Sequence, residues 1–195
     1  MPSPVKVNLP EGVPMLCGPI WRAFGRFQLR LWGWTLEGEI PKDKKILLIA
    51  APHTSNWDWV IGVGGLLALG IKITYIAKHT LFVGPLGWAM RATGGVPINR
   101  DSATNTVDEI VDQFNKHDRL YYLIAPEGTR KRVDRWKTGF LRIAYKTDVS
   151  VLMVSFDFRT KTILLGECAK LTGDIDTDLT RVQGYYDQFV GKGDL

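Results

Sequence analysis

A histidine and an aspartate five residues apart, His53 and Asp58, stand in the stretch APHTSNWDW directly after the apolar run KILLIAA. An imidazole held by a carboxylate is a general base. The carboxylate binds one ring nitrogen, fixes the tautomer and leaves the other nitrogen to take a proton from substrate. A positioned base of this kind is worth roughly 10²–10⁴-fold in rate. The same residues also fit a purely structural role. Ser55 followed three residues later by Asp58 is a capping-box pattern, with Asp58 complementing the positive end of the helix dipole and His53 left as a loop residue. Helix side chains tilt toward the N-terminus, so Asp58 in a first turn points back at the loop carrying His53 under either reading.

Two further stretches carry groups that suit an anionic ligand. APEGTR follows the apolar run LYYLIA and presents Glu127, Gly128, Thr129 and Arg130. Gly128 permits a tight turn or a close backbone approach to a ligand, and Arg130 offers a planar fork for phosphate or carboxylate. A surface turn with a Glu–Arg ion pair is the structural alternative. GGVPINR ends on Arg100, either a phosphate ligand or a salt-bridged loop residue. Lys137 in RWKTGF, just before an expected helix, is a weaker anion-site candidate.

Positioning these groups requires elements. Short apolar runs predict strands at 35–38, 46–50, 72–76, 120–125, 150–156 and 161–166, with GGVPINR holding a further short extended piece. Helical patterns fall at 56–69, 84–91, 103–117 and 138–147, with a weaker one at 178–190. Val107, Ile110, Val111 and Phe114 form one stripe at i, i+3, i+4 and i+7. KILLIA and LYYLIA are nearly continuous in apolarity, as strands covered on both faces are. The expected fold class is therefore α/β, a single-domain sandwich with a central mostly parallel or mixed β-sheet flanked by helices. In such sheets sites form in loops beyond the carboxyl ends of strands, where APHTSNWD and APEGTR both begin. Residues 1–34 read as an extension to a domain at 35–195. Within 20–34, Arg22, Arg26 and Arg30 recur on one side, and Trp21, Phe24, Phe27, Leu31, Trp32 and Trp34 lie mostly on the other. That is the pattern of an amphipathic helix in a lipid interface, or of a helix docked on its own domain through the aromatics.

In this order and spacing, His53-x-x-x-x-Asp58, GGVPINR and PEGTR resemble the first three motif blocks of the glycerolipid acyltransferase family, which includes the 1-acylglycerol-3-phosphate (lysophosphatidic acid) acyltransferases. The resemblance runs over about residues 45–155, and three blocks together are far more specific than any one. It implies transfer of a fatty acyl chain from acyl-CoA or acyl carrier protein to a hydroxyl of a lysophospholipid-type acceptor, in phospholipid biosynthesis. His53 would be the base and Asp58 its orienter. Arg100 would bind the acceptor phosphate, and Glu127, Gly128, Thr129 and Arg130 would shape that site. No acyl-enzyme, bound cofactor or metal is implied, in keeping with the absence of a G-x-S-x-G elbow. Two departures stand out: Pro52 replaces the asparagine usual before the histidine, and DVSVLMVSFDF lacks the proline of the family's fourth block.

Bulk properties narrow the surroundings. A net charge of +5 favours anionic partners. No RNA-binding motif accompanies that charge, so nucleic acid is not an expected partner and an anionic membrane surface is. Cys17 and Cys168 are too few and too separated for a disulfide framework or a cysteine zinc site. No stretch reaches the roughly 18–20 apolar residues of a bilayer span. The expected placement is cytoplasmic, peripheral on the cytoplasmic face of a membrane. The competing class is a catalytically silent lipid-binding or scaffold protein that keeps the fold.

Overall fold

The two apolar runs become adjacent central strands in the computed structural model, which describes residues 3–98, 103–129 and 133–195. In chain order the elements are β1 (Val5–Lys6), α1 (Pro19–Trp32), β2 (Thr35–Gly38), β3 (Lys45–Ala51), α2 (Asn56–Leu69), β4 (Thr74–Lys78), α3 (Gly84–Ala92), β5 (Gly95–Ile98), α4 (Ala103–Lys116), β6 (Leu120–Ile124), α5 (Gly139–Thr147), β7 (Ser150–Asp157), β8 (Thr162–Cys168) and α6 (Ile175–Tyr185). Among the described residues the strands form one sheet in the order β1-β2-β8-β7-β3-β6-β4-β5. Every pair is parallel except β7 with β8. A tight connection joins only that pair, and a short loop can turn a strand back but cannot carry it across the sheet.

Side chains of β3 alternate between two cores. Ile46, Leu48 and Ala50 pack in the cluster that includes α1 and α2, and Leu47, Ile49 and Ala51 pack with α4, α5 and α6. Period-two alternation between two apolar layers is why KILLIAA reads as an unbroken apolar run. α1 lies on the outside of α2, and its buried residues are Gly25 and Leu29. A side chain at Gly25 would collide with the Ala68 amide nitrogen and crowd the Gly64 carbonyl, so glycine sets the close approach. At the far ends Trp32 meets Trp57 edge to face, with centroids 5.7 Å apart. Apart from Trp32, the aromatics of α1 do not make the docking face. Ile20, Trp21, Phe24, Phe27 and Leu31 are all more than half exposed.

Several boundaries differ from the expectations. The segment 1–34 contributes β1 to the sheet and α1 to a helix layer. GGVPI is paired as β5 against β4. The strand expected at 72–76 starts at Thr74, because the Lys72 amide donates to Pro14 O at 2.7 Å and Ile71 bridges Met15. The last helix runs Ile175–Tyr185 rather than 178–190. Asp174 caps it by accepting the Thr177 N–H at 2.8 Å, and the chain tightens into a 3₁₀ turn at Tyr186–Gln188. No helix among the described residues is long and apolar enough to cross a membrane.

Candidate active site

Parallel pairing of β3, β6, β4 and β5 brings their carboxyl ends to one edge of the sheet. The loops after β3 and β6 carry the first and third sequence motifs to that edge. β3 ends at a cis Ala51–Pro52 peptide, and Ser55 then starts α2 in extended conformation. Ser55 Oγ accepts the Trp57 N–H at 3.2 Å, and Asp58 Oδ2 accepts the Ser55 N–H at 2.8 Å, closing the capping box. The same Oδ2 lies 3.1 Å from His53 Nδ1. One oxygen thus ends the helix and holds the imidazole, so capping and orienting are a single arrangement. Asp58 is 1% exposed at its side chain and His53 29%, which leaves the far edge of the ring open to a ligand. The other oxygen, Oδ1, is buried with no hydrogen-bond partner among the described residues.

Glu127 has a different place from the one its motif suggests. Its carboxylate oxygens both accept the His53 backbone N–H, each at 3.0 Å. Burial pushes the Glu127 carboxyl up from its ordinary value, and the His53 N–H and imidazole draw it part of the way back. Glu127 therefore holds the histidine-bearing loop, while its neighbours Gly128 and Thr129 line the cavity beside His53. Gly128 has φ +65°, where a side chain is strained, and a Cβ there would press on the Lys137 stem. Lys137 N–H donates to Pro126 O at 3.1 Å, pinning this loop to the start of α5. Arg100 and Arg130 lie outside the described residues.

Two participants are missing from the motif reading. Lys78, at the carboxyl end of β4, lines the same cavity as His53 and Lys137. The segment at residues 190–194 returns to the histidine loop, where the Gly193 N–H donates to Thr54 Oγ1 at 2.9 Å. Partners 139 positions apart leave no local pattern to find. The cavity, of about 1280 Å³ and lined by His53, takes in apolar residues of α2 and the sheet, such as Leu66, Leu69 and Leu165, and residues of α4 and α5 such as Ile110 and Ile143. That exceeds the roughly 300–1,000 Å³ of an ordinary small-ligand pocket.

Known proteins resemble parts of this chain. Chloroplastic 1-acyl-sn-glycerol-3-phosphate acyltransferase of Arabidopsis thaliana is 29% identical over 159 residues, covering 72% of this chain and 43% of that protein. The chloroplastic enzyme of the same name from Brassica napus is 33% identical over 110 residues, covering 53% and 31%. The chain spans less than half the length of these curated relatives. The crystal structure of the 1-acyl-sn-glycerophosphate acyltransferase PlsC from Thermotoga maritima superposes with a TM-score of 0.61 at 21% identity, covering 88% of this chain and 80% of that one, a likeness of fold. The acyltransferase family model matches residues 34–157, from the residue before β2 to the end of β7, and on that match the chain belongs to the acyltransferase family.

Proposed function

We propose that this domain transfers a fatty acyl group from a thioester of coenzyme A or acyl carrier protein to a hydroxyl of a lysophospholipid-type acceptor, as a step of phospholipid biosynthesis. The observation that carries this reading is the His53 Nδ1–Asp58 Oδ2 contact of 3.1 Å on the wall of a large, mostly apolar cavity. With Nδ1–H donated to Asp58, Nε2 takes the proton of the acceptor hydroxyl as its oxygen attacks the thioester carbonyl. The carbon–sulfur bond then breaks, and the departing thiolate takes the proton from the imidazolium, so an ester and a free thiol leave. No acyl-enzyme forms, because the thioester already has a good leaving group. The apolar cavity accommodates the acyl chain. Lys78 and Lys137 in its lining, with Arg100 and Arg130, meet the acceptor's phosphate.

A water-insoluble substrate also calls for a surface. The exposed ridge Ile20–Phe24–Phe27–Leu31 follows i, i+4, i+7 and i+11 along α1, with Arg26 and Arg30 exposed beside it. This is the pattern of a helix lying in an anionic lipid interface, here that of the cytoplasmic face of a membrane.

The test is purified protein with acyl-CoA and acyl carrier protein donors over a panel of lyso-acceptors, products identified by mass. His53→Ala is expected to lower transfer by roughly 10²–10⁴-fold with the thermal midpoint unchanged. Undiminished transfer by that variant removes the base assignment. Lipid binding without transfer by the unmodified chain from any donor favours the silent lipid-binding protein instead.

A further inference from the structure

α3 carries a second apolar projection, beside the cavity that holds His53. Val83, just before the helix, and Trp88 within it are 71% and 72% exposed, and Leu86 between them is 46% exposed. Their outward position follows from packing. The helix buries only Gly87 and Met90, and Gly87 sits on the Phe82 backbone so closely that any side chain there would collide. Phe82, Met90 and Tyr75 form the small core beneath it.

This shoulder stands in the same helix layer as α1. Trp59 of α2 donates its Nε1–H to Tyr75 Oη at 3.0 Å, joining the core under α3 to α2. Leu86 lines the cavity that holds His53 and Lys78, so the shoulder borders the place where a lipid substrate would enter. Charge follows the same layer. No acidic residue occurs between Glu11 and Glu37, or between Asp58 and Asp101, and Asp58 itself is buried. Those two stretches carry Arg22, Arg26, Arg30, Lys72, Lys78 and Arg91. A projecting tryptophan with aliphatic neighbours, in stretches of chain that carry cations and no exposed carboxylate, matches the chemistry of an anionic lipid surface.

We propose that Val83, Leu86 and Trp88 enter the surface of an anionic phospholipid bilayer as a second attachment point beside the α1 ridge. The inference rests on reading α1 as a membrane-facing helix and goes beyond it. One helix alone leaves the domain free to roll about the helix axis. A second contact stops the roll and sets the cavity mouth on the lipid, and two linked contacts bind far more tightly than either alone.

The experiment compares the full chain with Val83→Ser/Trp88→Gln and with Phe24→Ser/Phe27→Ser, using equimolar phosphatidylglycerol and phosphatidylcholine vesicles. Each double variant is expected to lower vesicle partitioning roughly tenfold or more. Trp88→Phe is expected to remove a share of the tryptophan quenching by brominated lipid. Those exposed positions carry little of the fold, and the quenching readout stands even if a double variant is destabilised. Normal partitioning of the α3 variant with undiminished quenching in Trp88→Phe, while the α1 variant falls, overturns the second attachment alone. Normal partitioning of both overturns the membrane reading of α1 as well. An α3 variant that binds vesicles normally but loses transfer only from acyl carrier protein makes the shoulder a protein-docking surface and overturns the proposal.

Discussion

The helix layers on the two faces of the sheet use apolar residues in opposite ways. α4 and α5 turn Ile110, Phe114, Phe140, Leu141, Ile143 and Ala144 onto the sheet, and each is nearly inaccessible. Their polar faces look outward, and Lys146 Nζ bonds Asp108 Oδ1 between the two helices at 2.7 Å. α2, apolar around most of its circumference, is sandwiched between the sheet and α1. The outermost member, α1, buries only Gly25 and Leu29 and leaves a row of large apolar side chains outside. An apolar residue in the first layer holds the fold together. One on the outer side of α1 or α3 adds little to the fold.

Two phenylalanines test that contrast most directly. Phe114→Ala, from a 1% exposed position, is expected to cost about 3–5 kcal/mol in urea denaturation. Phe27→Ala, from a 61% exposed position, should stay within about 0.5 kcal/mol while reducing vesicle binding. Equal costs would erase the distinction between the layers. A smaller effect probes how α1 is held. Gly25→Ala should cost about 1–3 kcal/mol, since its methyl meets backbone atoms of α2 that have nowhere to go. Gly18→Ala, with no atom within 4 Å of the added carbon, is the control. If both glycines tolerate alanine, the close approach of α1 to α2 is wrong.

The seam between the layers offers two more tests. Glu127→Gln keeps one acceptor oxygen for the His53 N–H and is nearly isosteric with the protonated carboxyl, so in acid it should cost no more than about 1 kcal/mol. The sign of its pH dependence follows from burial, which holds the carboxyl above its ordinary 4.5. The contribution is fully present below pH 4.5, where the unfolded chain is also protonated, and is lost as pH rises through the higher folded value. Wild-type stability relative to the variant should therefore be highest in acid and fall as pH rises, and a difference indifferent to pH contradicts it. A modest change is expected in Thr54→Val, which removes the acceptor for Gly193 N–H. About 0.5–1 kcal/mol of stability and a few-fold in transfer rate should go with it. Activity unchanged to within error would make residues 190–194 irrelevant to the histidine loop.

What could be read beforehand depended on how local its cause was. The helix at 56–69 has the same bounds in the structure, because the Ser55–Asp58 cap and Gly70 after it are contained in a few neighbouring residues. KILLIA and LYYLIA were legible as doubly covered strands because continuous apolarity reports burial on both sides. The last helix was misplaced because Tyr185, Tyr186 and Phe189 extend the apolar pattern past its end. Those rings instead pack on one another through a tighter turn.

By itself, then, the sequence determined which residues could handle a proton, that a capped helix would aim one at the other, and that a sheet would lie between two helix layers. Each of these follows from residue type and spacing within one or two turns of chain. Only the tertiary structure decided that Glu127 grips the His53 backbone from 74 positions away, that Gly193 reaches Thr54, and which face of α1 was left uncovered. These depend on the register of β3 against β6 and on a backbone approach at Gly25, and such contacts exist only once distant segments have packed.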